Sequence, residues 1–140
     1  MEPIVSHIEI TVRDMEKAVP FYDRLLPLLG YSLEMRSAAE IPAHDKFVVS
    51  YEHPRLGIAI SSPRRGLADE RVHRRRPGSL HHLAFKVESR EEVDRLYGQL
   101  VRIGAEVVIP PREFPEYTPP GYYAFFFKDP DGIRYEVVAY

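Results

Sequence analysis

Apolar and polar positions alternate over residues 5–12. Ile8, Ile10 and Val12 fall on one side and His7, Glu9 and Thr11 on the other, the period-two pattern of a half-buried strand. The period then changes. Over residues 15–29, Ala18, Phe21, Tyr22, Leu25 and Leu29 return at helical spacing, with Asp14 as a cap and Gly30 as a terminator. Pro20 lies inside this pattern and is expected to kink the helix or delay its start. Short strands are predicted over 31–36, 47–51 and 56–60, with a loop at 37–45 and a turn at His53-Pro54. Residues 62–79 show no periodicity and read as a polar connection.

The same order of elements then repeats. Over residues 80–87, Leu83, Phe85 and Val87 share one face and His82, Ala84 and Lys86 the other. Ser89 and Glu92 mark a helix start, the stripe Val93, Leu96, Tyr97, Leu100 and Ile103 covers 90–103, and Gly104 closes it. Strands follow at 107–109, 122–127 and 133–139, with a proline-bearing loop at 110–120. Asp129-Pro130-Asp131-Gly132 is a tight-turn sequence before the last strand. SHIEITVRDMEKAVPFYDRLLPLLG and LHHLAFKVESREEVDRLYGQLVRIG are one device written twice, and His7 and His82 hold the same place in each copy. Such a duplication governs the fold. It predicts a single α+β domain over 1–140: two βαβββ modules, 1–61 and 80–140, joined by the linker 62–79. Their strands form a curved mixed sheet, with a cup on one face and the helices on the other.

Composition narrows what this cup can serve. A net charge of -2 gives no basic excess for a nucleic-acid partner. The absence of cysteine removes disulfides, thiolate metal sites and cysteine nucleophiles. No apolar run reaches membrane-spanning length, and the N-terminal residues lack a signal-peptide pattern, so no membrane partner and a cytoplasmic location are expected.

Three residues stand out on the face turned away from the helices: His7, His82 and Glu136. A carboxylate in the middle of an apolar strand needs a partner, because burying it unpaired is very costly. The duplication supplies two imidazoles. Two imidazoles and a carboxylate on rigid strands suit one divalent metal ion, Zn, Ni, Mn, Co or Fe, with positions left open for water or substrate. Tyr122 and Phe126 are expected on the same face, as an aromatic lining that binds a small-molecule substrate. Tyr117 lies in a loop able to close over it. Glu9, Lys86 and Arg134 are polar positions of the cup, read as a rim salt-bridge set. Arg71, Arg74, Arg75 and Arg76 form a cluster in the linker, read as a solvated face.

The motifs His7 with ITVRD, FYDRLLPLLGY, HHLAFKV and FFFKDPDGIRYEVV resemble those of the vicinal oxygen chelate superfamily, over nearly the whole chain. That superfamily includes glyoxalase I, fosfomycin-resistance thiol transferases, type I extradiol dioxygenases and bleomycin-resistance proteins. The resemblance implies the glyoxalase/bleomycin resistance/dihydroxybiphenyl dioxygenase fold and a homodimer. It places the family's metal ligands on His7, His82 and Glu136, with His82 rather than neighbouring His81. It further implies a metal-dependent lyase, thiol transferase or dioxygenase that chelates adjacent substrate oxygens; the alternative is a metal-free protein that sequesters a small molecule. One departure is visible. Glyoxalase I carries a fourth ligand on the last strand of its first module, where this chain has Ala59 or Ile60. Neither can bind a metal. The typical dioxygenases carry two such pairs of modules, and the potassium-binding serine loop of the fosfomycin enzymes is replaced by PREFPEYTPPGYYAF.

Overall fold

The computed structural model describes residues 4–71 and 73–140. The first three residues of the predicted N-terminal module, and residue 72 of the linker, lie outside the described residues. The chain divides into two compact units, 1–71 and 72–140.

The first unit contains β1 (His7–Thr11), α1 (Met15–Leu28), β2 (Arg36–Ile41), β3 (Lys46–Tyr51) and β4 (Gly57–Ser61). The second contains β5 (Leu83–Lys86), α2 (Arg90–Arg102), β6 (Glu106–Glu113), β7 (Tyr123–Lys128) and β8 (Arg134–Ala139). Each unit is a four-stranded mixed sheet, in the orders β1-β4-β3-β2 and β5-β8-β7-β6. In both, the first strand runs parallel to the last and the other pairings are antiparallel. The two βαβββ modules of the sequence are therefore present, with one topology written twice.

The helices show the same duplication at atomic detail. The Asp14 carboxylate accepts from the Glu16 and Lys17 N–H groups at the start of α1. Ser89 Oγ accepts from the Glu92 N–H at the start of α2, while Glu92 Oε2 accepts from the Glu88 N–H. Both helices end in the same glycine motif. Tyr31 N–H donates to Leu26 O and Gly30 N–H to Pro27 O; Ala105 N–H donates to Leu100 O and Gly104 N–H to Val101 O. Gly30 and Gly104 have φ of 93° and 81°, the left-handed conformation this double bond requires.

Three expectations are corrected. Helix α1 runs through Pro20 and Pro27 without breaking. Ala18, Phe21, Tyr22, Leu25 and Leu26 are all buried on its inner face, and that packing outweighs a missing backbone bond. Residues 31–36 do not form the predicted strand. Leu33–Met35 is a short 3-10 turn, and the strand lies later, over Arg36–Ile41. Its four central residues, Ser37 to Glu40, are exposed, so this edge strand buries no alternate side chains and leaves no alternation to read. Finally, β6 extends through Pro110 and Pro111 to Glu113. It pairs only with β7, and its register shifts twice between Val107 and Arg112. An edge position with irregular pairing tolerates prolines that a central strand excludes.

The sides of the second sheet set up the site. Phe125 meets Tyr97 of α2 at 5.6 Å, Tyr123 donates to Asp94 of α2, and Phe127 stacks on Tyr135. Their alternates Ala124 and Phe126 on β7 and Val138 on β8 point the other way, and pack with Phe114, Ile109 and Tyr122 in a separate apolar cluster. Glu136 pairs directly with Phe126 across β7–β8, so it emerges within this second face.

Candidate functional site: a carboxylate–imidazole pair in an aromatic cleft

The turn before β8 fixes where Glu136 stands. Asp129 is buried, and its Oδ1 accepts from the Asp131 and Ile133 N–H groups at 2.9 and 2.8 Å. Asp129 N–H donates to Ile133 O, and Gly132, at φ 85°, donates to Asp129 O. With the turn pinned, Ala84–Glu136 and Phe126–Glu136 are cross-strand partners on either side. Glu136 retains only 1% of its surface.

A carboxylate so buried must be held by donors or cations. Tyr122 Oη donates to Glu136 Oε1 at 2.6 Å. His82 Nε2 lies 3.1 Å from Glu136 Oε2. The other ring nitrogen of His82, Nδ1, meets His81 Nδ1 at 2.7 Å, so one of these two imidazoles is the donor and the other the acceptor. The His82 ring also meets Phe126 edge-on at 6.0 Å. Its orientation is thus fixed from three directions. Burial, and then the bond to Glu136, raises the Tyr122 phenol above its ordinary value, which keeps it a donor. Loss of hydration, with the charges of His82 and Arg74 acting the same way, makes His81 harder to protonate.

These groups line an open cleft of about 390 Å³, with His81, Glu116, Tyr117, Thr118, Phe126 and Arg134 around them. Its wall is aromatic. Tyr117 stacks on Phe114 at 5.0 Å and meets Tyr122 edge-on at 5.4 Å; Tyr140 stacks on Tyr122 from the other side. Arg134 lies over the Phe126 ring at 4.3 Å. Burial, followed by the positive charge of Arg74, pushes the Arg134 guanidinium below its usual value.

Four of the five site residues read from the sequence, His82, Glu136, Tyr122 and Phe126, therefore share one cleft. Tyr117 joins them. His7 begins β1 in the first unit, opposite Gly57. A side-chain carbon on Gly57 would come within 3.2 Å of His7 Cβ, so glycine makes room for the imidazole there. Glu9 and Lys46 form an ion pair at 2.7 Å, and Lys86 sits over the Tyr140 ring at 3.9 Å. Lys86 and Arg134 thus lie on aromatic rings, so among the described residues Glu9 is the one member of the expected rim set that forms an ion pair. Phe114 was missed, and His81, set aside in favour of His82 as a ligand, lines the cleft beside it. Phe114 fell in a stretch read as loop, because the irregular pairing of β6 hides the strand leading to it.

Strand register also locates the missing fourth ligand. Ala84 faces Glu136 in the second unit, and its counterpart Glu9 faces Ala59 in the first. Ala59 is thus the equivalent of Glu136, and it carries no donor.

The pair His82–Glu136 fits a metal. An imidazole nitrogen and a carboxylate oxygen are both ordinary ligands of a divalent ion, and here they stand 3.1 Å apart as an ion pair. Among the described residues no three His, Cys, Asp or Glu side chains are gathered as a metal-holding group. The second unit brings together one imidazole and one buried carboxylate, held in orientation by Tyr122 and His81. Among the described residues no helix is long and apolar enough to cross a membrane.

Comparison with known proteins agrees with this architecture. A Bacillus subtilis protein, YqjT, itself uncharacterized, is 33% identical over 135 residues, covering 96% of this chain and 98% of its own. The 2,2',3-trihydroxybiphenyl dioxygenase of Sphingomonas paucimobilis is 26% identical over 133 residues; the match covers 95% of this chain but only 40% of the dioxygenase. Among solved structures, a glyoxylase/bleomycin resistance protein/dioxygenase domain from Frankia sp. EAN1pec superposes with a TM-score of 0.74 at 26% identity, covering 99% of this chain and 98% of that one. The family model for the Glyoxalase/Bleomycin resistance protein/Dioxygenase superfamily matches residues 4–137. By sequence, topology and coverage, this chain belongs to that superfamily.

Proposed function

We propose that this protein is a divalent-metal-dependent enzyme of its superfamily, with His7, His82 and Glu136 as ligands, acting on a small planar molecule with two adjacent oxygens. The observation that carries the reading is the buried Glu136 carboxylate with His82 Nε2 at 3.1 Å from it. Duplication supports His7 as the third ligand, since it holds in the first module the place His82 holds in the second. An ion bound there would supply Lewis acidity, stabilising negative charge on the chelated oxygens.

The chain's own residues define the rest. Tyr122 Oη, kept protonated, occupies one carboxylate oxygen of Glu136 and leaves the other turned to His82. His81 holds the remote nitrogen of His82 and sets which nitrogen faces the carboxylate. Tyr117, Tyr122 and Phe126 offer ring faces and edges to a flat substrate and keep water from one side of it. The dioxygenase relative makes oxygen insertion into an aromatic diol one concrete activity to assay. The alternative, capture of a flat molecule without metal, is favoured by the same aromatic wall.

Cobalt(II) titration separates the two. Chelator-treated protein should bind one cobalt per chain and develop visible absorption, and His82→Ala should abolish it. Tight binding of flat ligands, with no cobalt spectrum and no effect of chelators, would overturn the metal reading in favour of sequestration.

A further inference from the structure

The charges around the cleft do not balance locally. Glu116 faces Arg112 at 3.5 Å, and Glu136 is held by Tyr122 and His82. The two acids of the cleft lining therefore have partners. Arg134, in the same lining, makes no ion pair with a carboxylate among the described residues. Its Nε is buried and has no hydrogen-bond acceptor. Arg74, from the segment before β5, is in the same state, with a buried Nε that has no acceptor. It stands close enough to Arg134 and to His81 for its charge to act on both.

Two guanidiniums near one another are mutually repulsive, and each buried donor without an acceptor costs free energy. An anion in the cleft beside Arg134 would offset that repulsion. A guanidinium is suited to receive one by two parallel hydrogen bonds to one carboxylate. The duplication sharpens the point. Register makes Arg134 the counterpart of Gly57: Gly57 precedes the Ile8–Ile58 pair just as Arg134 precedes the Leu83–Tyr135 pair. One module places the smallest residue across from its histidine. At the equivalent place on its last strand the other module has a cation, laid over Phe126.

We propose that this cleft binds a planar aromatic acid, with Arg134 receiving its carboxylate, Arg74 adding positive charge nearby, and the Tyr117–Tyr122–Phe126 wall receiving its ring. The proposal rests on reading the cleft as the substrate site, and it names the substrate class. It does not require the metal.

The test is calorimetric titration of chelator-treated protein with benzoate and with benzamide, which share shape and ring but differ in charge. Benzoate should bind about tenfold tighter, equivalent to about 1.4 kcal/mol, and added salt should weaken benzoate alone. Arg134→Met should remove the preference for benzoate over benzamide, and Arg74→Met should reduce it. Equal binding of the two ligands, no saturable benzoate binding, or a preference that survives Arg134→Met would overturn the proposal. Should Arg134→Met fail to fold by circular dichroism, the wild-type comparison and Arg74→Met still decide. Cobalt titration of the same samples reads the metal site separately. A carboxylate preference without cobalt binding refutes the metal reading alone, and cobalt binding without the preference refutes this proposal alone.

Discussion

Glu136 carries a charge where the chain otherwise places Tyr135, Val137 and Val138. It is tolerated because both oxygens are engaged, one by a phenol and one by an imidazole. Removing the phenol isolates the effect. Tyr122→Phe keeps the ring and its stacking on Tyr140 but leaves Oε1 without its donor. Urea unfolding of metal-free protein should show a loss of about 1–3 kcal/mol, and an unchanged midpoint would show that Glu136 does not depend on this bond. A second residue-scale prediction concerns pH. The hydrogen bond from Lys46 holds the Glu9 carboxyl below the ordinary glutamate value of 4.5. A depressed folded value means that the pair stabilises fully above about 4.5 and is lost as pH falls through the folded value. Because the pair is partly exposed, Lys46→Met should cost less than about 1 kcal/mol at pH 7. The loss should shrink as pH falls through that folded value; a difference independent of pH would contradict an ionic origin.

At the scale of elements, the helices and their caps were legible in the sequence, because Asp14, Ser89, Gly30 and Gly104 act through bonds within a few residues of themselves. The identical ends of α1 and α2 give a matched test. An added side-chain carbon meets nothing within 4 Å at Gly30 or Gly104, so substitution acts only through the left-handed backbone. Gly30→Ala and Gly104→Ala should each cost about 1–2 kcal/mol, measured by thermal unfolding. A cost confined to one of them would show that the two motifs are not equivalent. The edge strands β2 and β6 were not legible. Residues 37–40 bury no side chains, and Pro110 and Pro111 argue against a strand unless its edge position is known. Phe114 was hidden for the same reason, although it is a fully buried member of the cleft's apolar cluster.

At the scale of the whole molecule, the duplication was the most informative feature of the sequence. It gave the two modules, the equivalence of His7 with His82, and the common face of Tyr122, Phe126 and Glu136. It did not give the state of Arg134. Residues 62–79 lack periodicity, and nothing in the spacing of Arg74 announces that its Nε is buried without an acceptor. Nor did sequence choose between Ala59 and Ile60 as the counterpart of Glu136, which the pairing of Glu9 with Ala59 decides. The central proposal is that His7, His82 and Glu136 are the ligands of one divalent metal ion. Its most direct test is elemental analysis of protein purified without added metal. The account predicts about one divalent ion per chain in the wild type, with loss of the ion in His82→Ala and in Glu136→Ala. Stoichiometric metal retained when His7, His82 and Glu136 are all replaced by alanine would contradict it.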